Sequence, residues 1–468
     1  MTDKLFPHSA PRTTLRMAPL AAALLLAGCS LMPAYQRPAP PVPEQWPAST
    51  GQEVGTVADA APDWQQFFAD ESLRELIGIA LANNRDLRVA VLGLQQARAQ
   101  LGIRSAEQWP TLNAALSGSR APNGSGETTK SYSGGLLVTA YELDFFGRVA
   151  SLKEQALAQY LASEAGSRSA RIALISGVAQ TWLALLADSE QLELARRTLA
   201  TREDSLRLVR LRFEHGAASE LELRLAESLA GTARVALEQS TRQRAQDENA
   251  LALLLGQPLP GSLREQIQPG RLDALQLPVL STGLPSQLLA RRPDIQQAEQ
   301  QLIAANANIG AARAAFFPRI SLTAGIGSAS KELSDLWRNG SWGYTLAPQL
   351  LLPIFDAGRS QAGLDSARAG REIALAQYEK AIQSAFREAA DALAGRETLA
   401  RQLAAQQAQA AAESRRLELT ELRLRNGVAS ELDWLDAQRS HFASQQALVQ
   451  TRLAWWQNQV TLYKVLGG

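Results

Sequence analysis

The amino-acid sequence predicts an α+β membrane protein made by internal duplication, with very long helices and four strands per chain. Three observations carry that reading: a twofold repeat, two long proline-free stretches, and four short runs of alternating apolar residues. Asp86, Gly102, Ala106 and Pro110 recur at one constant offset as Asp294, Gly310, Ala314 and Pro318. Gly147, Arg148, the segment Gly216–Leu221 and Gly256 recur as Gly358, Arg359, Gly427–Leu432 and Gly467, at an offset three residues longer. The extra residues of the second copy therefore fall between Pro318 and Gly358. A repeat this long is one tandem duplication of an elaborate unit, not a solenoid array. Two equivalent halves suggest the walls of a tube.

The chain opens on a basic region, Lys4, Arg12 and Arg16, followed by the apolar run Met17 to Ala27, the layout of a secretory signal. Leu26-Ala27-Gly28-Cys29 resembles the bacterial lipoprotein signal box, so residues 1–28 read as a lipoprotein signal peptide. That resemblance implies cleavage before Cys29, a thioether-linked diacylglycerol on its sulfur and an acyl chain on its amine. Several acyl chains make a stable anchor where one is marginal. Ser30 in place of an aspartate suggests sorting to the outer membrane. Cys29 is the single cysteine, which leaves no internal disulfide and no Cys-based metal site. Residues 29–72 then form a lipidated tether and equatorial segment, made semi-rigid by Pro33, Pro38, Pro40, Pro41, Pro43 and Pro47.

Residues 73–257 hold the first repeat, read as helix, two strands, long helix and helix. Residues 258–285 are an equatorial linker, and residues 286–468 are the second repeat. No proline occurs from Asn123 to Gln257 or from Ile354 to the end, and an interior proline costs a helix about 3 kcal/mol. One helix is therefore expected from Arg148 to His215 and its copy from Arg359 to Asn426, each about 100 Å long. That length is of the order of a periplasm's depth. Gly216 and Gly427 end these helices, because glycine adopts left-handed backbone angles cheaply. Ser219 and Ser430 are N-cap candidates for the returning helices over 219–255 and 430–465. Helices over 73–107 and 286–315 complete each wall.

Leu112, Ala114, Leu116 and Gly118 alternate with other residues, as do Ile320, Leu322, Ala324 and Ile326. Tyr132–Leu143 and Trp342–Leu352 supply a second strand in each copy. Polar turn segments over 122–126 and 330–340 join the pairs. Strands of this length with one apolar face fit a membrane β-barrel. Gly325 and Gly327 sit in such a strand, where they serve packing or a bend. Barrels in outer membranes begin at about eight strands, and an unclosed edge is not tolerated in lipid, so four strands demand further copies of the chain. The helices lead to the same conclusion. Their Ala/Leu stripes suit coiled-coil pairing, but four helices do not surround a wide passage.

Composition excludes other classes. With 468 residues, a formal charge of +1, 20% charged and 6% aromatic residues, there is no nucleic-acid footprint. No apolar stretch of about 18 residues follows the signal segment, so no membrane-spanning helix is expected. After signal removal only His215 and His441 remain, too far apart in sequence for a triad or a metal-ligand spacing. No enzymatic activity, no metal and no cofactor beyond the lipid on Cys29 are expected. Without a Gly-rich loop ending in Lys-Ser/Thr, energy for any movement must come from a partner.

Asp63–Leu87, Gly283–Pro318 and the paired Gly-Xaa-Ala-Ser-Glu-Leu segments add to the lipoprotein box. Over essentially its full length the chain resembles the TolC/OprM family of outer membrane efflux factors, in the lipoprotein, NodT-type branch. The resemblance implies a homotrimer whose twelve-stranded β-barrel, four strands per chain, lies in the outer membrane and continues into a long periplasmic α-helical barrel. It implies an exit channel of a tripartite efflux system, conducting drugs or other small toxic compounds. The implied partners are a periplasmic membrane fusion (adaptor) protein, an inner-membrane resistance-nodulation-division pump and outer membrane lipids. Gly216, Ala217, Gly427 and Val428 would then be the adaptor-docking tips.

Leu432, Asp436 and Arg439 fall at i, i+4 and i+7 and share one helix face. The resemblance implies that three copies of that face form a periplasmic gate, with Asp433 at a second acidic position. The plain alternative is an exposed face with an ion pair worth a few tenths of a kcal/mol. The first copy is read with Leu223 and Ala226 where the second has Asp433 and Asp436, so closure is expected from the second copy alone. Two other readings fit the same elements: a conduit for type I protein secretion, and a lipid-anchored periplasmic coiled-coil scaffold without a channel.

Overall fold

The structure is a computed structural model that describes residues 31–43, 63–122, 124, 126–275, 278, 291–338 and 340–468. The signal peptide, Cys29 and the first part of the Gly283–Pro318 motif lie outside the described residues. α1 (Trp64–Phe67) precedes the first repeat, which holds α2 (Glu71–Asn83) from its third residue, α3 (Arg85–Ala106), β1 (Leu112–Pro122), β2 (Thr128–Glu142), α4 (Arg148–Glu214) and α5 (Glu220–Leu255). A short α6 (Gly261–Arg264) precedes the second repeat, which contains α7 (Pro293–Ala314), β3 (Arg319–Ser330), β4 (Trp342–Leu351), α8 (Arg359–Arg425) and α9 (Glu431–Val465). The two long helices, α4 and α8, are each 67 residues of unbroken helix.

Two expectations need correction. The helix read over 73–107 is two helices, α2 and α3, parted at Asn84, which takes extended backbone angles. The Asn84 side chain accepts from Leu87 N at 2.8 Å and donates to the Leu254 carbonyl of α5 at 2.9 Å. Asparagine thus caps the second helix and ties it to a neighbour, a combination that outweighs continued helix. The second correction concerns α4, which does carry an apolar window long enough to cross a membrane, 56% of it buried. Burial against its neighbours makes it a core helix, not a membrane span.

The four strands form one antiparallel sheet in the order β1-β2-β3-β4. The first repeat is joined to the second through the β2–β3 ladder, where Leu136 faces Ile326 and Val138 faces Ala324. Directly opposed residues share a face. One face carries Leu112, Leu116, Leu136, Ile326, Tyr344 and Leu346, all exposed. The other carries Ser117, Ser133, Thr345 and Gln349. A bulge between Val138 and Tyr141, with Ala140 at φ 50°, shifts the pairing before the strand ends.

The chain divides into two compact units, one of residues 1–39, 94–163 and 298–378 and one of residues 40–93, 164–297 and 379–468. Each draws on both repeats. The core of the second unit gathers Phe67, Phe68 and Leu76 with Trp182, Leu185, Leu251 and Tyr463. Phe67 stacks on Tyr463 at 4.7 Å between ring centres. Each such side chain stabilises the fold by about 1.5–3 kcal/mol.

In the first unit the N-terminal strap runs along α7. The Leu31 carbonyl accepts from Arg313 at 3.1 Å and the Pro33 carbonyl from Asn306 at 2.7 Å. Tyr35 donates to Glu299 at 3.2 Å, and Arg37 pairs with the same carboxylate. Glu299, Asn306 and Arg313 are spaced by one heptad and so share a face of the helix. The strap comes so close at Gly310 that a Cβ there would sit 3.0 Å from the Met32 Cα and 2.5 Å from Ser151 Oγ. The corresponding residues on α3 are Val91, Arg98 and Ser105, and α3 buries none of its residues. Gly310→Val is expected to lift the strap and open the Leu31–Tyr35 stretch to chymotrypsin in the folded protein. Gly102→Val, at a site with open space around it, should leave digestion unchanged; equal protection of both variants would disprove the clamp.

Candidate functional site at the helix tips

The two hairpin turns are built alike. Gly216 (φ 70°) and Gly427 (φ 73°) hold the left-handed conformation that ends α4 and α8. Ala217 N donates to the Arg212 carbonyl at 2.7 Å and Val428 N to the Arg423 carbonyl at 3.0 Å, which closes a Schellman turn in each. A Cβ on either glycine would meet nothing within 4 Å, so backbone angle, and not space, selects glycine here. Large apolar side chains stand in solvent around both tips: Leu211 and Leu221 at the first, Leu422 and Val428 at the second.

Ser219 and Ser430 cap the returning helices as expected, and each belongs to a capping box. Ser430 Oγ accepts from Asp433 N at 3.1 Å, while the Asp433 carboxylate accepts from Ser430 N at 3.0 Å. In the first copy Glu222 fills the same place, accepting from Ser219 N at 2.6 Å. This fixes the register and corrects the reading of Leu223 and Ala226 as the counterparts. Asp433 corresponds to Glu222 and Asp436 to Leu225, so only one of the two acids is peculiar to the second copy. Bonds from the Ser430 hydroxyl and backbone hold the Asp433 carboxyl below the usual carboxylate range.

Asp436 has two arginine partners. Arg416 of α8 donates to Oδ2 at 2.6 Å and Arg439, one turn along α9, donates to Oδ1 at 2.5 Å. Leu432 lies one turn before it on the same face, partly exposed. The structure therefore brings together Leu432, Asp436 and Arg439 and adds Arg416, which the sequence reading missed. Arg416, Asp436 and Arg439 correspond to Ser205, Leu225 and Ser228 in the first copy, so the whole clasp exists once per chain.

A different face of α9 is fastened to α4. Glu431, only 7% exposed, accepts from Arg212 at 2.8 Å. Gln438 donates to Ser205 Oγ at 3.4 Å, and the Arg202 guanidinium lies 5.0 Å from the Phe442 ring centre. Burial pushes the Glu431 carboxyl above its ordinary range despite the Arg212 charge. Its first-copy counterpart, Glu220, is exposed and pairs with Arg224 on its own helix. These links join residues more than two hundred positions apart, beyond the reach of local sequence patterns.

His215 is exposed and faces the Leu211 carbonyl at 2.9 Å, while His441 is half-buried, with its pKa lowered by burial. Among the described residues, no group of three or more His, Cys, Asp or Glu side chains could hold a metal ion.

The family described as "Outer membrane efflux protein" matches residues 76–257 and 284–468. The toluene efflux pump outer membrane protein TtgC and the antibiotic efflux pump outer membrane protein ArpC, both of Pseudomonas putida, are each 47% identical to this chain over 456 residues, covering 95% of it and 94% of each relative. The open state of the MtrE outer membrane channel of Neisseria gonorrhoeae superposes with a TM-score of 0.85 at 38% identity, covering 94% of this chain and 98% of that one. The chain thus belongs to the outer membrane efflux protein family, as a subunit of a trimeric channel that lies in the outer membrane, reaches into the periplasm and forms the exit of a tripartite efflux system, a transport conduit and not an enzyme.

Proposed function

We propose that this channel is closed at its periplasmic end by the Arg416–Asp436–Arg439 clasp and is opened by an adaptor that seats on its tips. The single observation behind the gate is that the clasp is absent from the first hairpin. A constriction needs one ring around a threefold axis, and one hairpin per chain supplies it. Three copies of Leu432, Asp436 and Arg439 then stack an apolar, an acidic and a basic ring, and Arg416 ties each acid back to its own hairpin. Asp433 contributes chiefly by capping α9. A contact of about 1 kcal/mol changes an open fraction about fivefold. Asp436→Ala is expected to raise conductance of the resting channel in planar bilayers by that order, and unchanged conductance would count against the gate.

Gly216, Ala217, Gly427 and Val428, with the exposed apolar residues beside them, are the surface we assign to the adaptor. Two similar tips per chain offer six in a trimer. A side chain at Gly427 meets open space and costs about 1–2 kcal/mol in the left-handed backbone, too little to undo the trimer, while its bulk obstructs docking. Gly427→Trp should therefore leave the trimer intact on native gels while abolishing cross-linking to the adaptor. Normal cross-linking and transport by that variant would remove the assignment.

The inner-membrane partner we assign is a resistance-nodulation-division pump, consistent with relatives named for toluene and antibiotic efflux. The same names support small, largely apolar organic molecules as cargo. The mature N-terminus we assign to Cys29, carrying a diacylglycerol and an acyl amide. Cys29→Ser should end incorporation of labelled palmitate; labelling that persists would place the lipid elsewhere.

A further inference from the structure

The apolar face of the sheet ends, on the side remote from the helices, in a cluster of aromatic rings and then a pair of cations. Leu116 faces Gly134, Gly134 faces Ser328, and Ser328 faces Trp342, in one row across all four strands. The segment between β3 and β4 folds back onto this face. Its Leu336 is buried, its carbonyl accepts from Ser328 Oγ, and its Trp337 ring lies over Gly134, where a Cβ would be 3.2 Å from the indole. Trp337 and Trp342 are 5.9 Å apart between ring centres, and both remain largely exposed. Tyr132, in the next row, covers Gly118. Aromatic rings gather in this way at the level where hydrocarbon meets headgroups.

One row further out, Arg120 stands directly opposite Lys130, both exposed and both on this same face. Like charges placed opposite each other destabilise a strand pair, and among the described residues neither has an ion-pair or hydrogen-bond partner. Lys331 follows Ser330 at the same end of the sheet. Of the acids there, Glu127 has a partner of its own, Asp335 pairs with Arg338 at 3.1 Å, and Glu332 follows Lys331 directly in the chain. Among the described residues Arg120 and Lys130 have no acid partner, and they stand about 7 Å beyond the Tyr132 row and about 13 Å beyond the Trp342 row, the rise of two and four strand residues.

We propose that Arg120 and Lys130, with the Trp337–Trp342 pair below them, form a seat for the phosphorylated headgroup of a glycolipid in the outward-facing leaflet, one seat per chain. The occupant follows from the position. A cation pair on the lipid-facing side, beyond the aromatic row, meets the headgroup layer and not the lumen. A phosphate between the two side chains removes their repulsion, and the indoles pack against the acyl chains beneath. The strand ladder brings the two cations together, so the seat needs no movement to form.

The test uses the full trimer, purified with retained lipid and assayed by native mass spectrometry in the presence of a phosphorylated glycolipid, its dephosphorylated form and phosphatidylcholine. The wild-type channel should retain the phosphorylated glycolipid in preference to the other two, and Arg120→Gln/Lys130→Gln should lower that retention about tenfold. Arg401→Gln, an exposed cation on α8, should leave it unchanged. Equal retention by the double variant would overturn the proposal, as would displacement of the lipid by inorganic phosphate at matched concentration. If the double variant fails to assemble, the wild-type comparison decides alone: equal retention of the phosphorylated and dephosphorylated glycolipid refutes the seat.

Discussion

Every backbone N–H and C=O inside a bilayer must find a partner within the protein, and this chain cannot satisfy that demand alone. Its sheet has two bare edges, β1 and β4. A four-stranded sheet in hydrocarbon would leave two rows of polar groups unpaired, each costing several kcal/mol. Closure through other copies removes both edges at once. The trimer is thus a condition for the strands to exist in the membrane. The helices inherit that symmetry, because each strand pair runs directly into them at Arg148 and Arg359.

Threefold symmetry acting on a duplicated chain gives two kinds of hairpin, which share their turn motif and differ just beyond it. Both use the same Schellman turn and the same capping box, since both must reverse a long helix in water. They part at the residues that follow. The first returning helix places Leu225 where the second places Asp436, and the second alone is fastened across to the other hairpin through Glu431 and Arg212. A helix that is pinned on one face and carries a charged clasp on another is suited to hold a defined resting position.

Most of the architecture was legible because it rests on local, periodic chemistry. Proline-free stretches gave both long helices, alternation gave the four strands, and Gly216, Ser219, Gly427 and Ser430 marked the turns. Local rules failed where a distant group intervened. The break at Asn84 depends on the Leu254 carbonyl, far along the chain, and Arg416 reaches Asp436 from another helix. The apolar window of α4 reflects neighbours on several sides, which composition alone does not separate from a membrane span. The counterpart of Asp433 is Glu222 and not Leu223, because the Ser-Xaa-Xaa-acid spacing fixes the register physically. Cys29, outside the described residues, is legible only as part of a motif.

The strap along α7 sets a stoichiometry. Its seat, made by Glu299, Asn306 and Arg313, has no match on α3, where Val91, Arg98 and Ser105 stand, so three of the six short helices in a trimer can carry a strap. Six identical unduplicated chains would bring six straps and six seats around the same pore. Duplication therefore halves the number of straps while leaving the count of strands and tips intact. The α3 helices, which bury none of their residues within the chain, carry no such strap among the described residues.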